Sequence, residues 1–304
     1  MLGLCLVAVF AVAAVAATSA SALPEWGKCE KVAPKTGAFT DANCTVKAKP
    51  LNSGEFKWRQ GKELAPLKFS GENVGSGGVL ATDFDTCEGG SHNERRVPRS
   101  RCEEGGGTQA RSPVQIECES EHNTGEAVGA KTVANVSVKF LGCKVFGSVP
   151  CSNGPKEGEI QVNPLKGSLG YINKAEKKVG VLLEPSKKHG DFASFNCGGV
   201  LATTVGVGNV TEGAYYLPEK TGGYDGVISP ITPVNTMTSK YEQVYTVNPE
   251  TDENIPSKFE GKHIELLEDY LFLPTEPQES TMWSPSGEEI TNVNTPAEEG
   301  EIKA

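Results

Sequence analysis

Histidine and arginine are both scarce in this 304-residue chain, with four of the first and six of the second, and the formal charge is −10. The four histidines, His92, His122, His189 and His263, each stand in a polar or Gly-rich setting, where a lone imidazole is usually a solvated side chain. No G-x-S-x-G elbow and no H-E-x-x-H pair occurs, which removes two common hydrolase signatures. C-x-x-C and H-x-x-x-H spacings are missing too, so no metal site and no cofactor is expected. An acidic chain with few arginines lacks the basic face that neutralises phosphates, which excludes a nucleic-acid binder. Carboxylate pairs for glycoside hydrolysis are not legible here, because their separation is a property of the fold.

Charge is absent from the start of the chain as well: none occurs before Glu25, and residues 2–17 are apolar without a break. Ala20, Ser21 and Ala22 put small residues where a signal peptidase reads, so residues 1–22 are expected to be a signal peptide cleaved before Leu23. The apolar run is short for a spanning helix, which needs roughly 20 residues. A retained N-terminal anchor is the competing reading, and the lack of Lys or Arg in the leader is a departure from the usual pattern. The chain is thus expected to be secreted or at the cell surface, touching membrane only through the transient signal peptide.

What the chain has instead is cysteine. Eight remain after cleavage: Cys29, Cys44, Cys87, Cys102, Cys118, Cys143, Cys151 and Cys197. An even count in an exported chain reads as disulfides. Eight cysteines allow 105 pairings. Short-loop closure favours 29–44, 87–102 and 143–151, which leaves 118–197 as the long-range bridge.

Glycine and proline, 35 and 19 residues, point to many turns and short strands. In "KTVANVSVKFLGC", Val136, Val138 and Phe140 face one way while Asn135, Ser137 and Lys139 face the other, the pattern of a strand with one buried face. "KKVGVLLEP" repeats this logic with Val179, Val181 and Leu183. The segment 158–185 reads as successive strands, with a turn at Asn163-Pro164 and a polar tip around 173–177. Residues 236–248 and 263–273 are further strand candidates, the second also readable as a short helix. The expected fold is all-β: an antiparallel β-sandwich or a barrel-like sheet, disulfide-stapled. It covers residues 23–273, as one domain or two subdomains. Residues 274–304 read as an acidic, Pro-rich C-terminal extension, loosely held and ending in an edge strand near "EEITNV". The hexamer "GGVLAT" occurs at 77–82 and 198–203, but its flanks diverge and it does not mark a repeat.

Several segments in order, "LPEWGKC" (23–29), "KTGAFTDANC" (35–44), "CESEHNTGE" (118–126), "KTVANVSVKFLGC" (131–143), "GEIQVNPLKGSLGYI" (158–172), "FNCGG" (195–199) and "KFEG" (258–261), together resemble a group of exported actinobacterial proteins of unknown function. The resemblance covers most of the chain after residue 22. It implies export, an all-β fold and cysteines at the positions of Cys29, Cys44, Cys118, Cys143, Cys151 and Cys197. It implies no activity, ligand or catalytic residue. Residues 83–112, with Cys87 and Cys102, depart from the group's pattern as an insertion, which makes a local bridge between those two cysteines the natural pairing.

That insertion holds Arg95, Arg96, Arg99 and Arg101, four of the six arginines, with Arg111 close behind. Guanidinium forks on a stapled loop would suit an anionic ligand such as a cell-wall polymer. A solvated, stapled loop is the plainer reading and ranks first. Glu117, Glu119, Glu121 and Glu126 cluster near Cys118, where alternating acids read as a wet strand face. The expected function is therefore a non-catalytic extracellular or cell-envelope binding or structural module. The alternative is a secreted hydrolase acting on carbohydrate. A cleft lined by Trp58 or tyrosines with two facing carboxylates would favour the hydrolase, and a smooth sandwich whose only unusual feature is the arginine loop would favour the binder.

Overall fold

Two-residue alternation, not helical period, governs this chain. The computed structural model describes residues 24–75, 77–88, 108–187, 191–207, 224–249, 253–265, 267–272 and 283–304. Among them there is one 3-10 turn, no α-helix and 23 strands. In chain order the first twelve are β1 (Glu25–Lys31), β2 (Phe56–Gln60), β3 (Leu67–Asn73), β4 (Val79–Glu88), β5 (Thr108–Glu117), β6 (Ser120–Ala127), β7 (Thr132–Leu141), β8 (Lys144–Val145), β9 (Val149–Ser152), β10 (Ile160–Gln161), β11 (Leu165–Asn173) and β12 (Lys178–Pro185). Then come β13 (Ala193–Cys197), β14 (Leu201–Val207), β15 (Tyr224–Asp225), β16 (Val227–Thr232), β17 (Tyr241–Val247), β18 (Asn254–Ile255), β19 (Lys258–Phe259), β20 (Lys262–Glu265), β21 (Leu267–Phe272), β22 (Trp283–Pro296) and β23 (Glu301–Lys303).

Following hydrogen-bonded neighbours closes a circle of eight antiparallel strands, β3–β6–β7–β11–β12–β16–β17–β22 and back to β3. A second circle closes in the same way through β4–β5–β8–β9–β13–β14–β21–β22. The long strand β22 belongs to both: residues 283–289 pair in the second ring and 290–296 in the first. The rings therefore lie end to end, and the fold is barrel-like rather than an open sandwich. Closure leaves no long unpaired edge in either ring. Residues 263–273, left between strand and helix by the sequence, supply β20 and β21.

The predicted inward faces are mostly as the alternation requires. Val136, Leu165, Leu169, Val181, Val227 and Ile231 belong to one continuous core cluster that runs through both rings. In β7 the alternation slips once: Asn135 has φ +53 where the register against β6 shifts, so Val133 and Val136 both point into the lumen. β12 departs further from expectation, because it is buried on both faces. Leu182 on its outer side is fully buried with Ile228 and Phe259 in a second, smaller cluster. Phe259 lies over Gly170, where a Cβ would come within 2.3 Å of its ring. Glu260 holds it there, its backbone N–H donating to Tyr171 O at 2.8 Å and its carboxylate accepting from Tyr171 N–H at 3.0 Å. Phe259→Ala is expected to cost about 3 kcal/mol, as for other buried aromatics, whereas exposed Val46→Ala should be near neutral; urea unfolding measures both.

The C-terminal segment is not a loose extension in its described part. β22 is the strand shared by both rings, and β23 pairs with β1 (Glu25↔Lys303, Gly27↔Glu301). Together β2, β1 and β23 form a small sheet whose Trp26 closes one end of the first ring. The Trp26 ring meets Tyr241 edge-on at 5.8 Å and lies against Gly61 and Gly300, where any Cβ would collide with it.

Three disulfides join described residues, and they correct two of the expected pairings. Cys29–Cys44 is as expected, but the others are Cys118–Cys143 and Cys151–Cys197. Register decides this over loop length. Ser120↔Leu141 pairing in the β6–β7 hairpin carries Cys118 opposite Cys143, and Cys151 stands directly across from Cys197 between β9 and β13. Of the expected insertion, the described residues 83–88 and 108–112 form the far rungs of the β4–β5 hairpin, which runs from Val79↔Glu117 to Glu88↔Thr108. Cys102, and with it the expected 87–102 bridge, lies outside the described residues, as do Arg95, Arg96, Arg99, Arg101 and the expected signal peptide at 1–22. Among the described residues no helix is long and apolar enough to cross a membrane.

A candidate binding site in the barrel lumen

The lumen of the first ring has two unlike halves. β7, β11 and β12 turn Val136, Val138, Leu165, Leu169 and Val181 into it. Across from them, β6, β3, β22 and β17 are neighbours in the ring and supply a polar wall: Glu121 and Asn123, then Glu288, Asn292 and Asn294, then Tyr241, Gln243 and Tyr245. The space between is a cavity of about 140 Å³. A smaller one of about 90 Å³ continues it into the second ring, and Glu288 lines both.

Local sequence explains the polar wall. In β22 the alternation is inverted, with Asn292 and Asn294 buried and the intervening Val293 less so. On β3 the inward position between two asparagines is glycine: Gly71 stands in register with both Asn294 and Asn123. A Cβ there would lie 2.3 Å from Asn294 Oδ1 and 2.6 Å from Asn123 Nδ2, so the missing side chain is what lets two amides meet over β3. Asn123 Nδ2 donates to Glu121 Oε2 at 3.4 Å, and Asn294 Nδ2 donates to Gln243 Oε1 at 2.5 Å. Gln243 Nε2 in turn donates to Ser229 Oγ at 2.8 Å.

The network ends short. Glu121 Oε1, Asn123 Oδ1, Asn292 Oδ1, Asn294 Oδ1 and the Tyr241 hydroxyl are buried with no hydrogen-bond partner. Each such group costs on the order of 1–3 kcal/mol when left unpaired, so five on one wall point to something that fills the lumen. Burial pushes the Glu121 carboxyl up to about 8, with the charge of Glu288 adding to it. Burial pushes Glu288 up to about 7. Tyr241 and Tyr245 are raised as well, by burial first and then by Glu301 and Glu288 respectively. Glu288 is half-buried and lines both cavities.

The sequence-predicted candidates lie elsewhere. Trp58 is in the capping sheet, donating from Nε1 to Glu301 at 3.1 Å with the Lys303 ammonium 4.5 Å from its ring. Glu117 and Glu119 do lie on a wet face, as expected, but Glu121 is fully buried in the lumen. The reason is a slip in alternation at the β5–β6 junction: Val114, Ile116 and Cys118 point inward, and after the bend the inward set is Glu121 and Asn123. His122 is on the outside, 4.0 Å from Glu72. The signal that would have found the site is the run "EEITNVNTP", where β-branched residues alternate with asparagines rather than with charges. No group of His, Cys, Asp and Glu among the described residues is arranged to hold a metal. No protein-family model matches this chain, and neither does any curated protein or solved structure.

Proposed function

We propose that this protein is an exported, non-catalytic binding module of the extracellular space or cell envelope, and that it binds a small molecule inside its first ring. The observation that carries this reading is the half-apolar, half-polar lumen whose buried oxygens lack partners. Closed antiparallel barrels of eight strands have an interior able to hold one small ligand. Export is supported by the three disulfides, by the leader-like start and by the resemblance to exported proteins. The arginine run Arg95, Arg96, Arg99 and Arg101 belongs to the same reading as a contact with an anionic cell-wall polymer.

The hydrolase reading gains one observation, since Glu121 and Glu288 line the same cavity alongside two tyrosines. It is the weaker of the two. A cavity of about 140 Å³ is near the size that holds benzene, too small for a sugar chain, and its far wall offers hydroxyls no partner.

Saturation-transfer NMR with benzene, toluene and indole tests the binding reading. At least one should bind the full chain, and Leu169→Trp, which fills the lumen from the apolar wall, should weaken that binding about tenfold or more. Binding unaffected by Leu169→Trp, or none at all, would remove the lumen as the site.

A further inference from the structure

We infer that the lumen takes a small lipophilic amine, with its ammonium group held between Glu121 and Glu288 among the amide oxygens of Asn123, Asn292 and Asn294 and its apolar body against β7, β11 and β12. This inference rests on the lumen-binding reading and names the ligand class for it.

Donor–acceptor accounting favours an ammonium. Of the five unpartnered atoms on the polar wall, four are carboxyl or amide oxygens, one of Glu121 and one each of Asn123, Asn292 and Asn294, all in residues more than nine-tenths buried; the fifth, the Tyr241 hydroxyl, has a single proton to give to any of them. Gln243 orients the Asn294 amide, taking its N–H so that the carbonyl oxygen is what remains. A surplus of acceptors calls for a ligand rich in donors. An alkylammonium has three donors and no acceptor, an alcohol one donor, and a carboxylate none.

Charge makes the same choice. Two carboxylates line the cavity, and no cation among the described residues offsets either. The titratable groups facing them are Glu121 from β6, Glu288 from β22, and Tyr241 and Tyr245 from β17; β3 lines the cavity with Leu67 and Phe69, neither of them titratable. Lys131 lines the cavity but enters neither carboxylate's balance, and Lys139 of β7 is turned outward to Glu159 at 2.8 Å. Once these carboxyls ionise, near pH 8, an anionic ligand would meet this wall with like charge. A cation also gains from the rings of Tyr241, Tyr245 and Trp26, which line the same space. Size limits the body to one ring and a short chain. Because burial holds both carboxyls neutral in mildly acid solution, the amine must displace protons to form its ion pairs.

Calorimetry on the full chain with 2-phenylethylamine, 2-phenylethanol and ethylbenzene tests this. At pH 8 the amine should bind at least about tenfold more tightly than the alcohol. At pH 6 its affinity should fall about tenfold, although the amine stays charged as lysine does (pKa about 10.4). Binding should release protons, seen as a heat that changes with the buffer's ionisation enthalpy. In Glu121→Gln/Glu288→Gln the amine-over-alcohol ratio should drop below about three, while exposed Glu119→Gln should leave it unchanged. If the alcohol or the hydrocarbon binds as well as the amine, the amine inference falls and lumen binding stands. If none of the three binds, both fall. Should the double variant not fold, the pH contrast and proton release of the wild type still decide.

Discussion

Raising the pH from 5 to 8.5 is expected to destabilise the ligand-free protein by about 4 kcal/mol, and Glu121→Gln/Glu288→Gln is expected to abolish most of that loss. The cause is the lumen pair. Both carboxyls have folded-state values above the ordinary 4.5, about 8 for Glu121 and about 7 for Glu288, with burial the leading cause in each. A raised carboxyl binds its proton more tightly in the folded chain than in the unfolded one. Stability then falls as pH rises, beginning near the unfolded value and ending once the folded value is passed. A pKa difference of one is worth about 1.4 kcal/mol; water entering the lumen with the charge relieves part of the total, which brings the expected loss to about 4 kcal/mol. Asp191 and Glu301, raised by burial, act in the same direction. Asp41, lowered to about 2 by the backbone N–H of Val46, acts oppositely and only on the acid side, as do Glu159, Glu176 and Glu298 beside their lysines. Maximal stability should therefore sit near pH 5. Urea midpoints across the range give the answer: a wild-type profile that stays flat from pH 5 to 8.5, or one that the double substitution leaves parallel, would show that these carboxyls are not buried as described.

How much of this was legible in the chain depends on which face a residue occupies. Apolar alternation in Val136, Val138 and Phe140, or in Val179, Val181 and Leu183, marks strands directly because hydrophobic burial drives it. Barrel-like closure follows less directly, since either a sandwich or a ring satisfies the same alternation, and only the pairing of β22 with both β3 and β17 closes the first circle. The C-terminal segment misleads for a physical reason. Its inward residues include Glu288, Asn292 and Asn294 beside the single apolar Ile290, so a strand at the centre of the fold has the composition of a solvated tail. Glu121 misleads in the same way, because the slip of alternation near Cys118 cannot be seen without the partner strand. Polar residues that line a cavity look, in sequence, like polar residues that face water. The site was hidden for the same reason that makes it a site.

Removing the Cys151–Cys197 bridge by paired alanine substitution should cost about 4 kcal/mol, the largest loss among the three bridges of the described residues. The closed segment spans 46 residues, against 25 for Cys118–Cys143 and 15 for Cys29–Cys44. Chain-entropy scaling with these lengths gives about 4, 3.5 and 3 kcal/mol. Two of the bridges are also neighbours. Cys118 lies between β5 and β6 and Cys143 between β7 and β8, the points where strands pass from one ring to the other. Cys151 N–H donates to Cys143 O at 2.9 Å, so the four cysteines form one row across the seam. Groups that share a strand junction do not act independently. Losing both bridges should therefore differ from the sum of the single losses by more than about 0.5 kcal/mol, whereas adding loss of the distant Cys29–Cys44 bridge should be additive. Hydrogen exchange should rise first in β8, β9 and β13, the short strands that the row ties to the rest of the second ring. The row itself is open to direct test by non-reducing peptide mapping, which should return Cys118 with Cys143 and Cys151 with Cys197. A fragment joining Cys143 to Cys151 would mean that β9 does not meet β13 in the register that sets these two residues opposite each other, and without that register the second ring does not close.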